Sequence, residues 1–236
     1  IGRVVHFDDA DREEAGAIVQ RAREAGREFL SAAETYRLLG AYGIPVADWR
    51  VASSVEEAAT AAAEIGFPVV VKADAEAIVH KSDVGGVAVD LKNRDAVRDA
   101  AQKMGAKLGA DGLQFFVQKY CPGGMEVIAG AKAEKGLGHL IMFGVGGIYV
   151  EVLKDVAFKL SPVTDVEARE MLSAIKAAPL LDGVRGGAGV DKEGLVEIIE
   201  RLSQLVTDLP AIQEMDLNPI IAYADGVCVV DARVRV

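Results

Sequence analysis

The sequence predicts an α+β (α/β) chain built in two parts, and three observations lead there. Up to about residue 120, helical and strand-like patterns alternate. From 125 to 160 the chain runs as four short strand-like stretches parted by glycine turns, which reads as an antiparallel sheet. Between these textures lies Cys121-Pro122-Gly123-Gly124, where proline and glycine mark a seam. The expected division is a helical lead-in or linker over 1–28, a first subdomain over 29–120 and a second over 121–236.

Residues 10–28 are rich in Ala and Glu with apolar positions at helical spacing. Ser31 followed by Glu34 has capping-box spacing and opens a helix through Leu38 and Leu39, which Gly43-Ile44-Pro45 stops. Ser53 or Ser54 opens a third helix to Ile65, closed by Gly66 with Pro68 just beyond. A β-branched run, 68–73, then predicts a buried strand, and Val87 to Leu91 a second. Asn93 to Leu108 predicts a helix with Ala96, Val97, Ala100, Ala101 and Met104 on one face. Residues 115–120 predict a strand. In the second part, strands are expected at 125–132, 139–143, 148–153 and 156–160. Helices are expected at 164–177 and 191–207, the latter with a strong apolar face. A closing hairpin, Asp216 to Tyr223 and Val227 to Val236, turns at Asp225-Gly226.

Composition narrows the classes. With 236 residues, 51% hydrophobic and 26% charged, the chain can bury a core, which must be aliphatic because aromatics are only 6%. A net charge of −10 speaks against a nucleic-acid scaffold, which needs a basic field, but allows a local basic pocket for nucleotide phosphates. Cys121 and Cys228 form no metal or redox spacing. No apolar run reaches membrane-spanning length and no signal peptide is recognisable, so a cytoplasmic protein away from membranes is expected.

The chemistry concentrates in two places. Val69-Val70-Val71-Lys72 delivers a lysine from a buried strand, and His80-Lys81-Ser82-Asp83-Val84-Gly85-Gly86 follows. An ammonium supplies a point charge for a polyphosphate. Gly85 and Gly86 let backbone N–H groups approach phosphate oxygens without a Cβ in the way. His80 can act as ligand, acid, base or nucleophile near neutral pH. In the closing hairpin, Asp216 and Asn218 are two apart on a strand and share a face. With a two-residue Asp-Gly loop, Asp231 is expected opposite Ile220, diagonal to Asn218. These oxygens are either solvent-facing polar groups or a site for a hard cation such as Mg²⁺, whose shell substrate phosphates complete. Joined with the lysine-and-glycine loop, the cation reading is taken. Glu126 and Glu151 sit in apolar stretches and either face ribose, metal or lysine, or point outward. Gln118 and Lys119 end a strand at the seam, where a ligand between two halves would be reached. His6 and His139 read as structural or surface residues.

Taken in order, the motifs E-x-x-x-L-L-x-x-Y-G-I-P-V, G-F-P-V-V-V-K, H-K-S-D-V-G-G-V, G-G-I-Y-V-E-V-L-K-D, D-L-N-P and V-D-A-R resemble the ATP-grasp domain of the nucleoside-diphosphate-forming acyl-CoA synthetases. That family includes ADP-forming acetyl-CoA synthetase and is related to the succinyl-CoA synthetase β subunit. The resemblance runs from Phe29 to the C-terminus. It implies two subdomains with ATP or ADP between them, Lys72 on phosphates and Val117-Gln118-Lys119 as the adenine-side hinge, with Glu126 among the nucleotide-binding residues. By the same likeness Asn218 and Asp231 bind Mg²⁺, Asp216 faces the reacting phosphoryl group, and His80 is the second phosphohistidine. The phosphoryl group would pass from an acyl phosphate to a histidine of a CoA-binding α part, then to His80, then to ADP.

The chain shows no CoA-binding Rossmann-like part and no α-type phosphohistidine segment, so an α domain or subunit, in cis or in trans, is the expected partner, within a hetero- or homo-oligomer. CoA and acyl phosphate would be handled there. The family often has Thr at Ser82 and Arg at Lys159; Ser82 keeps the hydroxyl, while Lys159 keeps the charge and loses the fork. The runner-up is a regulatory, nucleotide-binding synthetase-like domain of a protein lysine acetyltransferase, without turnover. A carboxylate–amine ligase fits less well, having no need of a histidine such as His80.

Overall fold

The computed structural model describes residues 1–75, 85–109 and 112–236. Its packing separates two units: residues 31–33 with 47–122, and residues 1–30 and 34–46 with 123–236. The first 28 residues thus belong with the C-terminal half.

Residues 1–11 are a strap held by specific partners. Arg3 and Asp165 exchange two hydrogen bonds, and so do the Phe7 backbone and the Gln204 amide. Arg201 binds Asp9 through both terminal nitrogens (2.8 and 3.1 Å), takes Glu197 at 2.8 Å and the Tyr42 carbonyl at 3.0 Å, and lies 3.9 Å over the Phe7 ring. Helix α1 (Arg12–Glu24) starts at Asp11, whose carboxylate accepts from the Glu14 N–H, and buries Ala15, Ile18, Val19 and Ala22, the i, i+3, i+4, i+7 stripe. Helix α2 (Ala32–Ala41) buries Tyr36, Leu38 and Leu39. Gly43, at φ +68°, ends it beneath the Arg201 guanidinium, which a Cβ there would strike at 2.5 Å.

The smaller unit holds β1 (Trp49–Ala52), α3 (Val55–Ile65), β2 (Val69–Asp74), β3 (Val87–Leu91), α4 (Arg94–Leu108) and β4 (Gln114–Lys119). Ser54 and Asn93 cap α3 and α4, and Gly109 closes α4 in the left-handed region. The sheet runs β1-β4-β2-β3, with every pairing antiparallel. All six residues of β2 are buried. Val69, Val71 and Ala73 pack with Ala58, Ala62, Val97, Ala101 and Met104 of the two helices. Small alanines let the helices approach the sheet closely, so few aromatics suffice.

The larger unit continues with β5 (Met125–Glu134), β6 (Gly138–Val145), α5 (Ile148–Glu151), β7 (Val156–Leu160), α6 (Asp165–Ala174), α7 (Ala178–Leu181), α8 (Lys192–Asp208), β8 (Glu214–Tyr223), β9 (Gly226–Val229) and β10 (Ala232–Arg235). The sheet order is β10-β8-β5-β6-β7, with β9 also on β8. One sheet face (Ala129, Ala131, Ile141, Phe143, Met215, Leu217, Val234) packs with α1, α6 and α8. Residues 28–30 extend the β10 edge through Leu30 N–H to Val234 and Val236 N–H to Glu28. No helix among the described residues is long and apolar enough to cross a membrane.

Three expectations are corrected. The strand expected at 148–153 is the short helix α5 followed by a turn. Gly147 at φ +66° swings the chain out of the sheet, and its carbonyl accepts from Val150 and Glu151. The helix expected at 164–177 breaks at Ile175, because buried Asp155 accepts from the Lys176 and Ala177 N–H groups at 2.7 and 2.8 Å. The hairpin turns at Ala224-Asp225 and pairs Tyr223 with Gly226. Asp231 therefore stands opposite Asn218 instead of Ile220, joined by the Asn218 N–H to Asp231 carbonyl bond at 3.0 Å.

Two measurements check this packing. Asp155→Ala leaves two N–H groups unpaired and is expected to cost about 2 kcal/mol, read as a lower urea midpoint at constant slope. Burial holds the Glu200 carboxyl above the usual range, Arg169 pulling it back. The folded chain thus binds that proton more tightly than the unfolded one, so the group's contribution falls as pH rises from the unfolded value through the raised folded one. Glu200→Gln should melt higher than the parent at pH 7 and equal it below about pH 4.

Candidate functional site

In the smaller unit, alternation along β2 turns Val70, Lys72 and Asp74 away from the helices. Lys72 is 7% exposed and pairs with Val87 on one side and Phe116 on the other. It lies inside the strand, which runs one residue further than expected. Phe116 stacks on Trp49, ring centroids 5.3 Å apart, and Gln118, 2% exposed, is in register with Val70 and Trp49. This face therefore carries a buried lysine, carboxylate and amide in a frame of aromatic carbon. Asp74 accepts from the Ala32 N–H at 3.5 Å, which ties residues 31–33 to this unit.

The three hinge candidates are distinct. The Val117 side chain lies in the core under α3 and α4, so only its backbone can meet a ligand. The Gln118 side chain is on the opposite face. The Lys119 ammonium donates to the Gly66 and Phe67 carbonyls at 2.9 and 3.0 Å, satisfying the end of α3. Gly85 is at φ +73°, and the Lys107 ammonium lies 2.7 Å from where its Cβ would be. The Gly86 carbonyl accepts from Ala73, closing the β2–β3 pair. His80, Ser82 and Asp83 lie outside the described residues.

In the larger unit the candidates gather on the sheet face away from the core. β8 alternates: Met215 and Leu217 are buried in the core, while Asp216 is half-buried and Asn218 exposed. Opposite β5 the register then shifts, Val127 pairing with Ile220 and Ala129 with Leu217, so Asn218 and Pro219 face Ile128 alone. Such a bulge re-aims side chains beside functional sites. Opposite β10, Asp216 pairs with Arg233. The result is two neighbouring rows, Asn218 with Asp231 and Asp216 with Arg233. Burial holds the Asp216 carboxyl above its usual range; Arg233 pulls it down, and Glu214 and Asp231 push it up. One Asp231 oxygen accepts from the Ala232 N–H at 3.0 Å.

Among the described residues no three His, Cys, Asp or Glu side chains cluster as a closed metal site. The donors on this face are oxygens: the Asn218 amide and the Asp231 and Asp216 carboxylates. An oxygen-only set with few protein ligands suits Mg²⁺ that arrives with phosphates, and does not suit zinc.

Other candidates separate from these. Glu126 and Glu151 are both exposed, at the start of β5 and the end of α5, so neither is a buried charge. His139 is buried and structural, its Nε2 2.6 Å from the Ile212 carbonyl. His6 is exposed, 3.4 Å from Asp8. Lys159 pairs with Glu170 at 2.9 Å. Arg233 went unassigned in the sequence, although its place two residues after Asp231 in V-D-A-R puts both on one face of a strand.

Residues 21–236 match the family described as an ATP-grasp domain. The chain is 41% identical over 224 residues to the acetate–CoA ligase [ADP-forming] I subunit beta of Pyrococcus furiosus, covering 93% of this chain and 96% of that one. It is 43% identical over 232 residues to the 4-hydroxybutyrate–CoA ligase [ADP-forming] of Nitrosopumilus maritimus, covering 95% of this chain and 33% of that longer protein. Among solved structures, the Ca. Korarchaeum cryptofilum dinucleotide-forming acetyl-coenzyme A synthetase 1 with coenzyme A and Ca-AMPCP superimposes with TM-score 0.90 at 39% identity, over 94% of this chain and 99% of that one. The same synthetase with coenzyme A and Mg-AMPPCP, its phosphohistidine segment pointing towards the nucleotide binding site, gives TM-score 0.85 at 38% identity over the same shares.

The engagement of Lys119 has a direct consequence. Lys119→Met is expected to lower stability by about 1.5 kcal/mol through the two stranded carbonyls. Chemical denaturation in the absence of any nucleotide reads that loss.

Proposed function

The chain belongs to the ATP-grasp domain family, in its ADP-forming acyl-CoA ligase branch, and on that premise we propose that it moves a phosphoryl group reversibly between His80 and ADP. The observation that carries this reading is the pair of rows on the larger unit's sheet, Asn218 opposite Asp231 beside Asp216 opposite Arg233. It is an oxygen-rich patch built for a cation that comes with phosphates, in a family where relatives act with ADP.

In this proposal Lys72 supplies a fixed positive charge to the polyphosphate, and the Gly85-Gly86 turn gives its backbone to phosphate oxygens. The backbone of Val117 to Lys119 borders the base, with Gln118 selecting its edge, and exposed Glu126 reaches the nucleotide from the start of β5. Asn218 and Asp231 would hold Mg²⁺, which when bound neutralises phosphate charge. Asp216 faces the reacting group. In the direction of ATP use, a ring nitrogen of His80 attacks the terminal phosphorus. The P–N bond forms as the bond to the bridging oxygen breaks, the electron pair leaves on ADP, and the other ring nitrogen loses its proton to solvent.

CoA and the acyl group would be handled by a separate α part. The chain spans nearly all of the Pyrococcus β subunit and a third of the Nitrosopumilus ligase, so that part is a second subunit or a fused domain. The relatives are ligases, which favours this reading over a regulatory module without turnover.

Incubation with Mg-ATP should place acid-labile, base-stable phosphate on the chain, and ADP should discharge it. His80→Ala should label at less than about a hundredth of the parent level, since no other residue replaces the nucleophile. Labelling of that variant at the parent level would overturn the assignment.

A further inference from the structure

Arg233 stands in the site without a role, and we infer that it is a further catalytic residue, whose guanidinium holds the oxygens of the transferring phosphoryl group. This rests on the phosphotransfer reading above and deepens it. The sheet register carries the inference. Across β6, β5, β8 and β10 one row reads Met142, Gly130, Asp216, Arg233. Antiparallel partners share a face, so Arg233 and Asp216 project together from the side away from the core. The adjacent row, Asn218 with Asp231, holds the proposed metal ligands. Arg233 is thus as close to them by register as Asp216 is.

Charge points the same way. Asp216, Asp231 and Glu214 make this stretch acidic, and a polyphosphate adds more negative charge than one divalent cation removes. The other cations on the same side are occupied or displaced by a row: Arg235 contacts Glu214 at 3.5 Å, and Lys132 stands opposite Glu214. Arg233 is exposed, and among the described residues no carboxylate lies within ion-pair distance of it. Its guanidinium lies 5.4 Å from the Phe29 ring centroid. Residues 28–30 are fastened to β10 by backbone hydrogen bonds, so this ring is a fixed platform. An arginine resting on an aromatic face keeps its planar donors directed outward, and that fork matches phosphoryl oxygens better than a lysine does. Gly130 completes the row without a side chain, where a Cβ would meet the Met215 carbonyl at 2.8 Å.

The test uses the chain with Mg-ATP in single turnover, Arg233→Met and Arg233→Lys beside the parent, and calorimetry of Mg-ADP on each. Arg233→Met should form phosphohistidine about 100- to 1,000-fold more slowly, with Mg-ADP affinity kept within about threefold, because the contact forms with charge that develops during transfer. Arg233→Lys should fall between. Matching thermal melts are expected, since the side chain is exposed. A labelled parent with Arg233→Met labelling within threefold of it overturns this inference alone. Equal losses in Mg-ADP affinity and in transfer also overturn it, since they describe a ground-state binding residue. A parent that takes up no phosphate on His80 removes the phosphotransfer reading itself and this role with it.

Discussion

The strand register along β8 is the constraint on which the larger unit's polar face depends. A slip of one residue in an antiparallel pair sends every side chain to the other face. Here it would put Asp216 and Arg233 into the core and bring Met215, Leu217 and Val234 out. That exchange exposes three buried aliphatic side chains, at roughly 2 kcal/mol each, and buries an acid and a base. The register is therefore held by the apolar face, and the polar face inherits its geometry. The tight turn at Ala224-Asp225 fixes the register of β9 on β8, and residues 28–30 bond to the outer edge of β10.

Most elements could be seen in the sequence because period and punctuation agreed. Helix α8 has a wide apolar stripe after an Asp cap, and β2 has β-branched residues bounded by Pro68. Failures fell where local pattern and tertiary packing disagreed. Ile148-Tyr149-Val150-Glu151-Val152 alternates like a strand, but a glycine at positive φ turns it into α5, with Tyr149 against the core and Val152 exposed. The break after α6 depends on Asp155, twenty residues earlier, taking two N–H groups that a continuing helix would have used. No local signal in 175–177 contains that information.

The geometry of the candidate site was legible to a similar depth. Asp216, Asn218 and Asp231 were singled out from spacing, and they do share one face. The directness of the Asn218–Asp231 pairing was not visible, since Asp-Gly suggests a loop one residue later than the one formed. Val117 illustrates a different limit: a motif can single out a residue as a ligand candidate while its side chain serves the core. Lys119 is similar, since its charge closes a helix end. Burial separates such double uses, and a sequence does not show burial residue by residue.

Under the proposed function the two units would carry different kinds of charge. Lys72 is a buried cation fixed in a six-residue strand with no exposed position, so its place is set by the fold before any ligand arrives. The larger unit presents carboxylates and an amide on an open sheet face, which attract a mobile cation. A polyphosphate needs both kinds of neutralisation, and crowding permanent cations together would cost repulsion whenever the ligand is absent. In the proposed function one lysine would be set in one sheet and a metal recruited to the other, which would avoid that cost. The net charge of −10 would oppose the approach of polyanions at long range, so any phosphate site needs local positive charge. The proposed role of Arg233 follows the same logic, since an acid, Asp216, stands opposite it in register.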